Sequence, residues 1–445
     1  MSDIAIIVLA AGQGTRMKSS LHKVLHPVAG KAMINHLLDT LAGFGPTQTV
    51  IVVGSKEHQL RKALEGRSIE MVRQKTQFGT AHAALQAKKS LGGFTGKVLV
   101  CFGDCPMVSE NSINKMIEAI DKGAEVAVLG FRPEHPLAYG RIIADSNGTV
   151  RKMVEAADAS ESELATNLCN SGLLIARAET LWPLLEDVKN DNAQKEYYLP
   201  DVATGAIKQG DKVMVIETHP DEVAGVNSRK ELAEAESRWQ AKRRVEAMRD
   251  GATLIAPETV FFSHDTKIGR DVTIGPNVVF GPGVIVEDEV TIQAFSHLEG
   301  ARVGLGCTVG PFARLRPGTV MEDGSKVGNF VELKNATLGK EAKVNHLTYL
   351  GDTMVGELAN IGAGTITCNY DGYFKYETKI GKEAFIGSNS SLIAPVTIGD
   401  RAIIAAGSAV TSDVDEDDLY IQRAPSKTKA GWAKRFAKAM KKKLR

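Results

Sequence analysis

The sequence predicts two unlike folds in one chain: an α/β domain with a mostly parallel mixed sheet, followed by a parallel β-helix. Residues 1–227 alternate short apolar runs with helical patterns, whereas apolar residues recur every six positions from residue 267 onward. Residues 228–250 differ from both, because they form a highly charged helical pattern with few apolar residues. We therefore predict domains at 1–227 and 251–445, joined by a linker helix.

The first half begins with continuous apolar runs that end at turn residues. They are residues 4–9, 49–53, 97–101 and 125–129. Continuous apolar strands separated by helices indicate a mostly parallel sheet that is covered on both faces.

The linker carries signals for both ends of a helix. Ser228 and Glu231 have the spacing of a capping box, and Gly251 is suited to the position after the last turn. Between them, Leu232, Trp239 and a few other apolar residues are scattered among charges. This pattern predicts a lone, largely exposed helix.

The second half has a six-residue period, which neither a helix (about 3.6 residues) nor a strand (about 2 residues) generates. Twenty-three apolar positions follow it in five blocks: Ile268, Ile274, Phe280, Val286, Ile292 and Leu298; Val303, Val309, Leu315, Met321, Val327 and Leu333; Leu338, Val344 and Leu350; Val355 and Ile361; Ile380, Ile386, Leu392, Ile398, Ile404 and Val410. This spacing is typical of a parallel β-helix with one inward aliphatic residue per short strand. Three strands per turn predict about seven to eight coils. Residues 362–379 break the period and are predicted to form a functional loop outside the wall.

Composition excludes several classes of protein. The net charge is +1 over 445 residues, so the chain has no general electrostatic attraction to nucleic acid. Five cysteines without a paired metal-binding spacing indicate reduced thiols of a cytosolic protein. No apolar stretch approaches the ~18 residues that a membrane span needs.

A glycine loop follows the first strand, over residues 9–17. Its backbone N–H groups can approach a phosphate at the start of the helix that we expect next. A dinucleotide fingerprint fails, because its third glycine would be Met17, and the P-loop lysine is missing too. Arg16 and Lys23 supply two cations, which suits a triphosphate being cleaved. The alternative is a tight strand–helix turn with a surface arginine.

The letters L-A-A-G-x-G-T-R-M of this loop, with Lys23-Val-Leu-His-Pro, resemble the sugar-nucleotide pyrophosphorylases. Joined to a hexapeptide β-helix, the chain resembles the bifunctional N-acetylglucosamine-1-phosphate uridylyltransferase/glucosamine-1-phosphate acetyltransferase family. The resemblance implies a Rossmann-like nucleotidyltransferase domain, a left-handed β-helix, Mg²⁺ as cofactor, a homotrimer and a cytoplasmic enzyme. It implies acetyl transfer from acetyl-coenzyme A to glucosamine 1-phosphate, then uridylyl transfer from UTP.

The resemblance also implies roles for individual residues of the first domain. The nucleotide and sugar would be held by Leu9, Ala10, Ala11, Gly12, Gly14 and Lys23, by Gln74, Gly79 and Thr80 at the uracil, and by Gly140, Glu155, Asn170 and Asn227 at the N-acetylglucosamine side. Asp104 and Asn227 would carry Mg²⁺. The nucleophile, a sugar 1-phosphate oxygen, is already anionic, so catalysis would consist of positioning and of charge neutralisation by Arg16, Lys23 and Mg²⁺. Phe102 and Ser171 depart from the tyrosine and threonine that are usual in the family. Taken singly, Asp104 also suits a turn and Asn227 a turn or cap.

In the second half, His346 lies close to Tyr349, and several cations lie on the same or neighbouring coils. Acetyl transfer to a sugar amine requires a base, and histidine titrates near neutral pH. A structural histidine is the alternative. By resemblance, His346 is the base, Arg316, Lys334, Tyr349, Asn360 and Lys375 hold glucosamine 1-phosphate, and Ala363, Asn369, Tyr370, Ser388, Ala406 and Arg423 contact acetyl-coenzyme A.

The C-terminal tail is the one strongly basic segment, with nine cations in residues 427–445. Trp432, Phe436 and Met440 recur every four residues, which predicts a short amphipathic helix. The alternative is a solvated tail. By resemblance, part of the tail packs across a neighbouring subunit near the coenzyme A phosphates. We expect no nucleic-acid partner and no integral membrane association.

Two other functions are compatible with parts of this pattern. The first is a sugar-1-phosphate nucleotidyltransferase whose β-helix is only structural or regulatory, which would need neither His346 nor the loop at Asn369 and Tyr370. The second is a non-catalytic subunit that senses sugar nucleotides, which should have lost Arg16, Lys23 or Asp104. All of these residues are present.

Overall fold

The computed structural model describes residues 3–136 and 139–443 and divides into two compact units, within 1–242 and 243–445. Arg445, the last cation of the predicted tail, lies outside the described residues. The division falls within one helix, Arg229–Arg249. A helix is therefore present where the sequence predicts one, whereas its role as a linker and the domain limits at 227 and 251 stay predictions.

The first unit is built on a nine-stranded mixed sheet. Its main path runs in the order Val213–Thr218, Val126–Phe131, Cys169–Arg177, Lys97–Phe102, Ile4–Ala10, Gln48–Val53 and Glu70–Arg73. Within this path only Cys169–Arg177 is antiparallel to its neighbours, and the hairpin Arg141–Ala144 and Val150–Val154 joins it at the side. The helices of this unit are Met33–Ala42, Glu57–Ala63, Thr80–Leu85, Glu110–Asp121, Glu161–Leu164, Ala178–Asp187, Asp201–Gln209 and Pro220–Val223.

The sheet is covered on both faces, as the sequence predicts. Every residue of Ile4–Ala10 is buried, with Ile7 and Leu9 in one hydrophobic cluster and Ile6 and Val8 in the other. Leu9 pairs with Phe102 on the adjacent parallel strand. Because parallel strands end at the same edge, the glycine loop and the segment after Phe102 emerge side by side.

The segment after the glycine loop differs from the prediction. A short 3₁₀ turn, Thr15–Met17, follows the loop instead of an α-helix, and Lys18 leaves it with a positive φ. A second 3₁₀ turn, Lys23–Leu25, and a two-stranded hairpin, Pro27–Val28 with Lys31–Ala32, come before the first α-helix. The segment after the loop therefore offers a ligand backbone N–H groups and cations, and not the dipole of an α-helix.

The linker helix is less isolated than predicted. Ser228 Oγ accepts a hydrogen bond from the Glu231 N–H at 3.3 Å, while the Glu231 carboxylate accepts one from the Asn227 N–H at 2.7 Å. Leu232 and Trp239 pack against a small buried cluster that contains Met33. The prediction missed this contact because two apolar residues seven positions apart give little periodic signal.

The second unit is a parallel β-helix. In the described residues one face carries ten strands: Thr253–Leu254, Thr273–Ile274, Thr291–Ile292, Thr308–Val309, Lys326–Asn329, Lys343–His346, Asn360–Ile361, Phe385–Ile386, Ile403–Ile404 and Leu419–Tyr420. The other faces are formed by Lys267–Ile268, Val279–Phe280, Ile285–Val286, His297–Leu298, Ala301–Val303, Arg314–Leu315, Thr319–Met321, Glu332–Leu338, Tyr349–Val355, Ile366–Cys368, Thr378–Ile380, Ser391–Ile393, Val396–Ile398 and Ala409–Val410.

The six-residue period identifies the inward positions correctly: 22 of the 23 apolar residues are buried, and only Ile268 in an early coil is half-exposed. The predicted number of coils is too low, because the strands at Leu254 and Tyr420 lie outside the periodic blocks.

The predicted loop is narrower than residues 362–379. Ile366–Cys368 is a strand of the wall and pairs with Ser391–Ile393. Thr367 is buried at the inward position, where the six-residue period would place an aliphatic residue. Its hydroxyl accepts a hydrogen bond from the Gly351 N–H at 2.8 Å, so a polar residue is tolerated inside. The excursion itself covers residues 369–377.

The tail forms the helix Trp432–Lys443, and its described side chains are all exposed. The predicted amphipathic helix is therefore confirmed. Within the described residues, no helix has the length and apolar character required to cross a membrane.

Candidate active sites

A cavity of about 320 Å³ opens at the carboxyl edge of the sheet in the first unit. Ten of the residues predicted to bind ligand or metal line it: Leu9, Ala10, Ala11, Gly12, Lys23, Gln74, Gly79, Thr80, Asp104 and Asn227. These residues come from distant parts of the sequence, so the fold brings them together as the resemblance implies.

The glycine loop presents unpaired backbone groups. The N–H groups of residues 12–14 donate to no acceptor among the described residues, which leaves them free for an anion. Gly14 has φ +63°, and a Cβ on it would lie 2.8 Å from the Cβ of Lys23. The absence of a side chain at Gly14 thus permits the left-handed turn and lets Lys23 pack against the loop.

Lys23 is the centre of a three-residue cluster in this cavity. Its ammonium donates to Asp104 Oδ2 and, at 2.9 Å, to Asn227 Oδ1. The side chains of Lys23 and Asp104 are only 13% and 14% exposed. One cation therefore contacts two hard oxygen donors that are separated by more than a hundred residues in sequence.

The other end of the cavity is shaped by Gln74, Gly79 and Thr80. The Gln74 side chain donates to Gly79 O at 3.2 Å, and Thr80 Oγ1 accepts from the Leu199 N–H at 2.9 Å. Gly79 has φ +118°, and a Cβ there would lie 2.5 Å from Tyr197 O. No other residue fits at this position without displacing the backbone.

Gly140, Glu155 and Asn170 form a second group. The Asn170 N–H donates to Gly140 O at 2.9 Å, and a Cβ on Gly140 would lie 3.1 Å from the Glu155 carboxylate. Burial, with Asp201 and Asp158 nearby, raises the pKa of Glu155.

Phe102 connects the two groups. It lines the cavity, and its ring packs so closely on Gly172 that a Cβ there would lie 2.5 Å away. Asn170 Oδ1 accepts from the Gly172 N–H at 3.0 Å. The second departure, Ser171, donates to Leu129 O at 2.7 Å and so has a structural role in this strand.

Arg16 is not brought into the cavity. It is exposed on the 3₁₀ turn, and among the described residues it makes no ion pair. Its catalytic role stays a prediction.

Sequence reasoning missed several residues of this site. His22, Gln77 and Glu196 line the cavity, and Tyr198 lies near Glu155. Burial raises the pKa of Tyr198, and Glu155 and Asp158 add to the effect. Gln77 could have been found from the sequence, because it lies between Gln74 and Gly79. No sequence signal pointed to Tyr198.

The burial of His22 predicts that the stability of this unit depends on pH. Its burial, with Lys56 nearby, lowers its pKa from 6.5 to about 4. Above pH 6.5 the His22 imidazole is unprotonated in both the folded and the unfolded protein. Below pH 6.5 it binds a proton in the unfolded protein, whereas in the folded protein it does so only below about pH 4. The free energy of unfolding should therefore fall by about 3 kcal/mol between these limits.

This prediction can be checked with urea unfolding at about pH 7 and about pH 5. Tryptophan fluorescence reports mainly on Trp182 and Trp239, because the third tryptophan is exposed on the tail. His22→Gln cannot titrate and should lose less stability than the wild type over this interval. Equal losses in both proteins would contradict the assignment.

In the β-helix, the predicted base and several predicted coenzyme A residues share one column. Asn329 pairs with His346, and each lies two positions after the inward residue of its strand. The same offset on the next three coils gives Ala363, Ser388 and Ala406, because Val344, Ile361, Ile386 and Ile404 pair in succession. The wall thus aligns one imidazole with small residues above it.

Asn329 was not predicted, yet it makes the closest contact to the imidazole. His346 Nδ1 and Asn329 Oδ1 are 2.6 Å apart. An amide oxygen only accepts hydrogen bonds, so Nδ1 carries the proton and Nε2 keeps the lone pair that a base requires. No motif marks Asn329; only the coil register places it there.

The predicted phosphate-binding cations lie on an adjoining face. Arg316 Nη1 donates to Glu332 Oε1 at 2.8 Å. The Lys375 side chain lies close to that of Lys334 and, as a second cation, lowers the pKa of Lys334.

Tyr349 and Asn369 complete this group. A Cβ on Gly351 would clash with both the Tyr349 hydroxyl and the Asn369 amide, so all three meet at one point. The Asn369 side chain donates a hydrogen bond to Asp352, and the Asn369 backbone carbonyl accepts one from the Tyr376 N–H at 2.9 Å. These two bonds hold the base of the loop.

Other predicted residues are not gathered with these. Asn360 pairs with Lys343 and Phe385 on the neighbouring coils. It precedes the inward residue Ile361, whereas Ala363 follows that residue by two positions. Tyr370 and Arg423 are exposed, the former by 60%.

The fold and the two sites define a nucleotidyltransferase domain followed by a hexapeptide acyltransferase domain. Residues 6–166 match the model of the MobA-like NTP transferase domain. Residues 265–300 match the bacterial transferase hexapeptide model, and residues 377–412 match the hexapeptide repeat of succinyl-transferase.

Full-length relatives narrow the class further. The bifunctional protein GlmU of Novosphingobium aromaticivorans is 60% identical over 99% of this chain and 98% of its own length. Those of Sphingopyxis alaskensis and Rhodospirillum rubrum are 57% and 50% identical, also over 99% of this chain, and over 98% and 99% of their own lengths. The chain belongs to the GlmU family. It is a bifunctional transferase of UDP-N-acetylglucosamine synthesis with a left-handed β-helix, as the family resemblance implies. Nucleotidyltransferases of this family generally use a divalent metal.

Proposed function

We propose that this chain acetylates glucosamine 1-phosphate on its β-helix and then transfers a uridylyl group to the product in the cavity of its first unit. The convergence of Lys23, Asp104 and Asn227 beside the free N–H groups of the glycine loop is the observation that carries this assignment. A cation beside two hard oxygen donors supports the cleavage of a triphosphate at this point.

The residues at this point fit Mg²⁺. Asp104 and Asn227 offer one carboxylate and one amide oxygen, and Mg²⁺ usually takes one or two protein ligands with the rest from water and phosphate. Bound there, Mg²⁺ would neutralise charge on the phosphates.

The chain's own residues then position the reactants. The loop N–H groups and Lys23 bind the phosphates of UTP, and Gln74, Gly79 and Thr80 hold the uracil. The 1-phosphate oxygen of the sugar attacks the α-phosphorus, the α–β bridging bond breaks, and pyrophosphate leaves. No proton has to be removed, so Lys23 and Arg16 act only on the charge of the phosphates.

The sugar lies in the group formed by Gly140, Glu155 and Asn170. Gly140 keeps the space over the Glu155 carboxylate free, and sugar hydroxyls can donate to that carboxylate.

On the β-helix, His346 Nε2 takes the ammonium proton of glucosamine 1-phosphate. The freed nitrogen forms a bond to the acetyl carbonyl carbon and the carbon–sulfur bond breaks. The second proton that the nitrogen gives up passes to the departing sulfur, so coenzyme A leaves as the thiol. Arg316, Lys334 and Lys375 bind the phosphate, which would relieve the repulsion between the two lysines.

We further propose a homotrimer in the cytoplasm. Tyr370 and Arg423 are exposed in the single chain, as expected of residues that complete an acetyl-coenzyme A site shared with neighbouring subunits. All five cysteines are free thiols, which suits a reducing compartment. Light scattering should give three times the mass of the chain; a monomer at micromolar concentration would contradict the shared site.

The direct test supplies glucosamine 1-phosphate, acetyl-coenzyme A, UTP and Mg²⁺, and follows free thiol and pyrophosphate separately. Both should be released in equal amounts, thiol first. Cys368 is exposed and must be titrated in advance. Pyrophosphate from N-acetylglucosamine 1-phosphate without any thiol release from glucosamine 1-phosphate would favour the alternative of a purely structural or regulatory β-helix.

A further inference from the structure

Asp352 lies at the point where the loop of residues 369–377 leaves the wall of the β-helix. On its own coil, the strand Tyr349–Val355 runs past Asp352 without a break. On the next coil, Ile366–Cys368 pairs with the start of this strand, whereas Thr378–Ile380 pairs with its end. The loop is therefore inserted opposite Asp352, and its two ends meet the wall on either side of that residue.

The Asp352 carboxylate contacts both neighbouring coils. Its Oδ2 accepts a hydrogen bond from the side-chain amide of Asn369, the buried first residue of the loop. Its Oδ1 accepts one at 2.8 Å from the side-chain amide of Asn335 on the preceding coil. Hydrogen bonds to a charged acceptor are stronger than those between neutral groups. This one side chain therefore ties the base of the loop to the coil from which the loop projects.

The rest of the loop is held together by contacts of its own. Asp371 Oδ1 accepts hydrogen bonds from the N–H groups of Tyr373 and Phe374 at 2.8 and 2.7 Å. An isolated backbone bridge joins Tyr370 to Lys375. These contacts shape the loop, but none of them attaches it to the wall. The contacts at its base therefore decide where the loop lies.

Three residues of the proposed acetyl-transfer site belong to this loop, namely Asn369, Tyr370 and Lys375. The Lys375 side chain lies close to that of Lys334 and lowers the pKa of Lys334, whereas the nearby Asp352 carboxylate acts on this pKa in the opposite direction. Two neighbouring ammonium groups repel each other, and a carboxylate beside them offsets part of that repulsion. Asp352 thus opposes the force that would push the loop outward.

We propose that Asp352 is a positioning residue for acetyl transfer, which holds the loop of residues 369–377 in the place that both substrates require. This inference rests on the proposed function, because it takes Asn369 and Lys375 as substrate-binding residues. Without the carboxylate, the loop would occupy its place for only part of the time, and the apparent affinity for each substrate would fall by that fraction. Bound substrates would still draw the loop inward, so the rate at saturation would largely be kept.

Steady-state rates of thiol release test this proposal in the full-length chain. Asp352 has φ +49°, so glycine removes its carboxylate without adding backbone strain. Asp352→Gly should raise KM for glucosamine 1-phosphate and for acetyl-coenzyme A about tenfold each, as expected for the loss of a hydrogen bond to a charged group, while kcat stays within about threefold. Asp352→Asn keeps an oxygen that accepts the Asn369 amide and should recover most of the wild-type affinity.

The matched control is Asn335→Gly. Asn335 has φ +47° and lies at the corresponding position of the preceding coil, so the change to the backbone is the same. It removes the other hydrogen bond of the Asp352 carboxylate and leaves the bond to Asn369 in place. This variant should have wild-type KM values. Pyrophosphate release should be unchanged in all three variants.

Limited digestion with chymotrypsin reports the position of the loop without any substrate. Tyr373 and Phe374 are 87% and 68% exposed, and this protease cuts after such residues when the backbone around them is released. Cleavage follows the population of the released loop. Asp352→Gly should therefore be cut in the loop at least ~10-fold faster than the wild type, and Asn335→Gly at the wild-type rate.

Three results would overturn the proposal. Asp352→Gly could leave both the KM values and the rate of cleavage unchanged. The two glycine variants could behave alike, which would mean that the bond between the coils matters and not the anchoring of the loop. Asp352→Gly could lower kcat with KM unchanged, which would assign the carboxylate to the chemical step. If the wild type released no thiol from glucosamine 1-phosphate, the proposed function would fail, and the rate of cleavage would still decide whether Asp352 anchors the loop.

Discussion

Asp104→Asn is expected to lower pyrophosphate release at least ~100-fold, because it removes a carboxylate that Lys23 contacts and that we propose as a Mg²⁺ ligand. The rate should be measured with UTP and N-acetylglucosamine 1-phosphate, so that the first reaction is bypassed. Thiol release from glucosamine 1-phosphate and acetyl-coenzyme A, assayed separately, should be unchanged. Raising the Mg²⁺ concentration should recover part of the lost rate, since the amide still offers one oxygen.

The matched control is Asp39→Asn. Asp39 also pairs with basic groups, Lys31 and Arg67, but lies outside the cavity lining. This variant should retain both activities within about twofold, since exposed ion pairs contribute little. If Asp104→Asn reduced thiol release as much as pyrophosphate release, the proposal of two independent sites would be wrong.

The sequence predicted the wall of the β-helix well because the wall obeys one local rule. Each strand needs one inward apolar side chain, so a six-residue period marks it. The rule failed at Thr367, where a hydroxyl that accepts the Gly351 N–H replaces the aliphatic side chain. A search for regularly spaced apolar residues cannot detect a strand whose inward residue is polar. The predicted loop was therefore longer than the observed one.

The glycine loop shows a different limit. Its glycines and cations are visible in the sequence, but the chain could leave the loop as an α-helix or as a tighter turn. Lys18 adopts a positive φ, which favours the tighter turn over an α-helix. A lysine at this position does not predict that conformation. The loop itself is local; the path beyond it depends on tertiary contacts such as that of Lys23 with Asp104.

The meeting of Lys23, Asp104 and Asn227 was predicted from resemblance and not from any local pattern. Lys23 and Asn227 are 204 positions apart, and only the shared edge of the sheet brings them together. Asn329 shows the same limit in the second unit. The register of the coils places it under His346, and resemblance to the family did not single it out.

His346→Ala is expected to abolish the other activity. Loss of a general base costs typically 10²–10⁴-fold, so thiol release should fall at least ~100-fold. Pyrophosphate release from UTP and N-acetylglucosamine 1-phosphate should be unaffected. The imidazole is exposed, so its removal leaves the wall intact. His297→Ala, which removes an exposed histidine from an earlier coil, is the matched control and should retain both activities.

The contact between His346 and Asn329 allows a finer test, because a positioning residue affects more than the rate. Asn329→Ala removes the acceptor that holds the proton on Nδ1, so kcat for thiol release should fall about tenfold with KM nearly unchanged. Asn329→Asp keeps an acceptor and adds a charge that favours the protonated imidazole. It should retain more activity than the alanine variant, and the acid limb of its pH–rate profile should move to higher pH. If both variants simply lost activity in parallel, with no shift of the profile, Asn329 would be a structural residue of the coil and Nε2 would have to be oriented by the substrate itself.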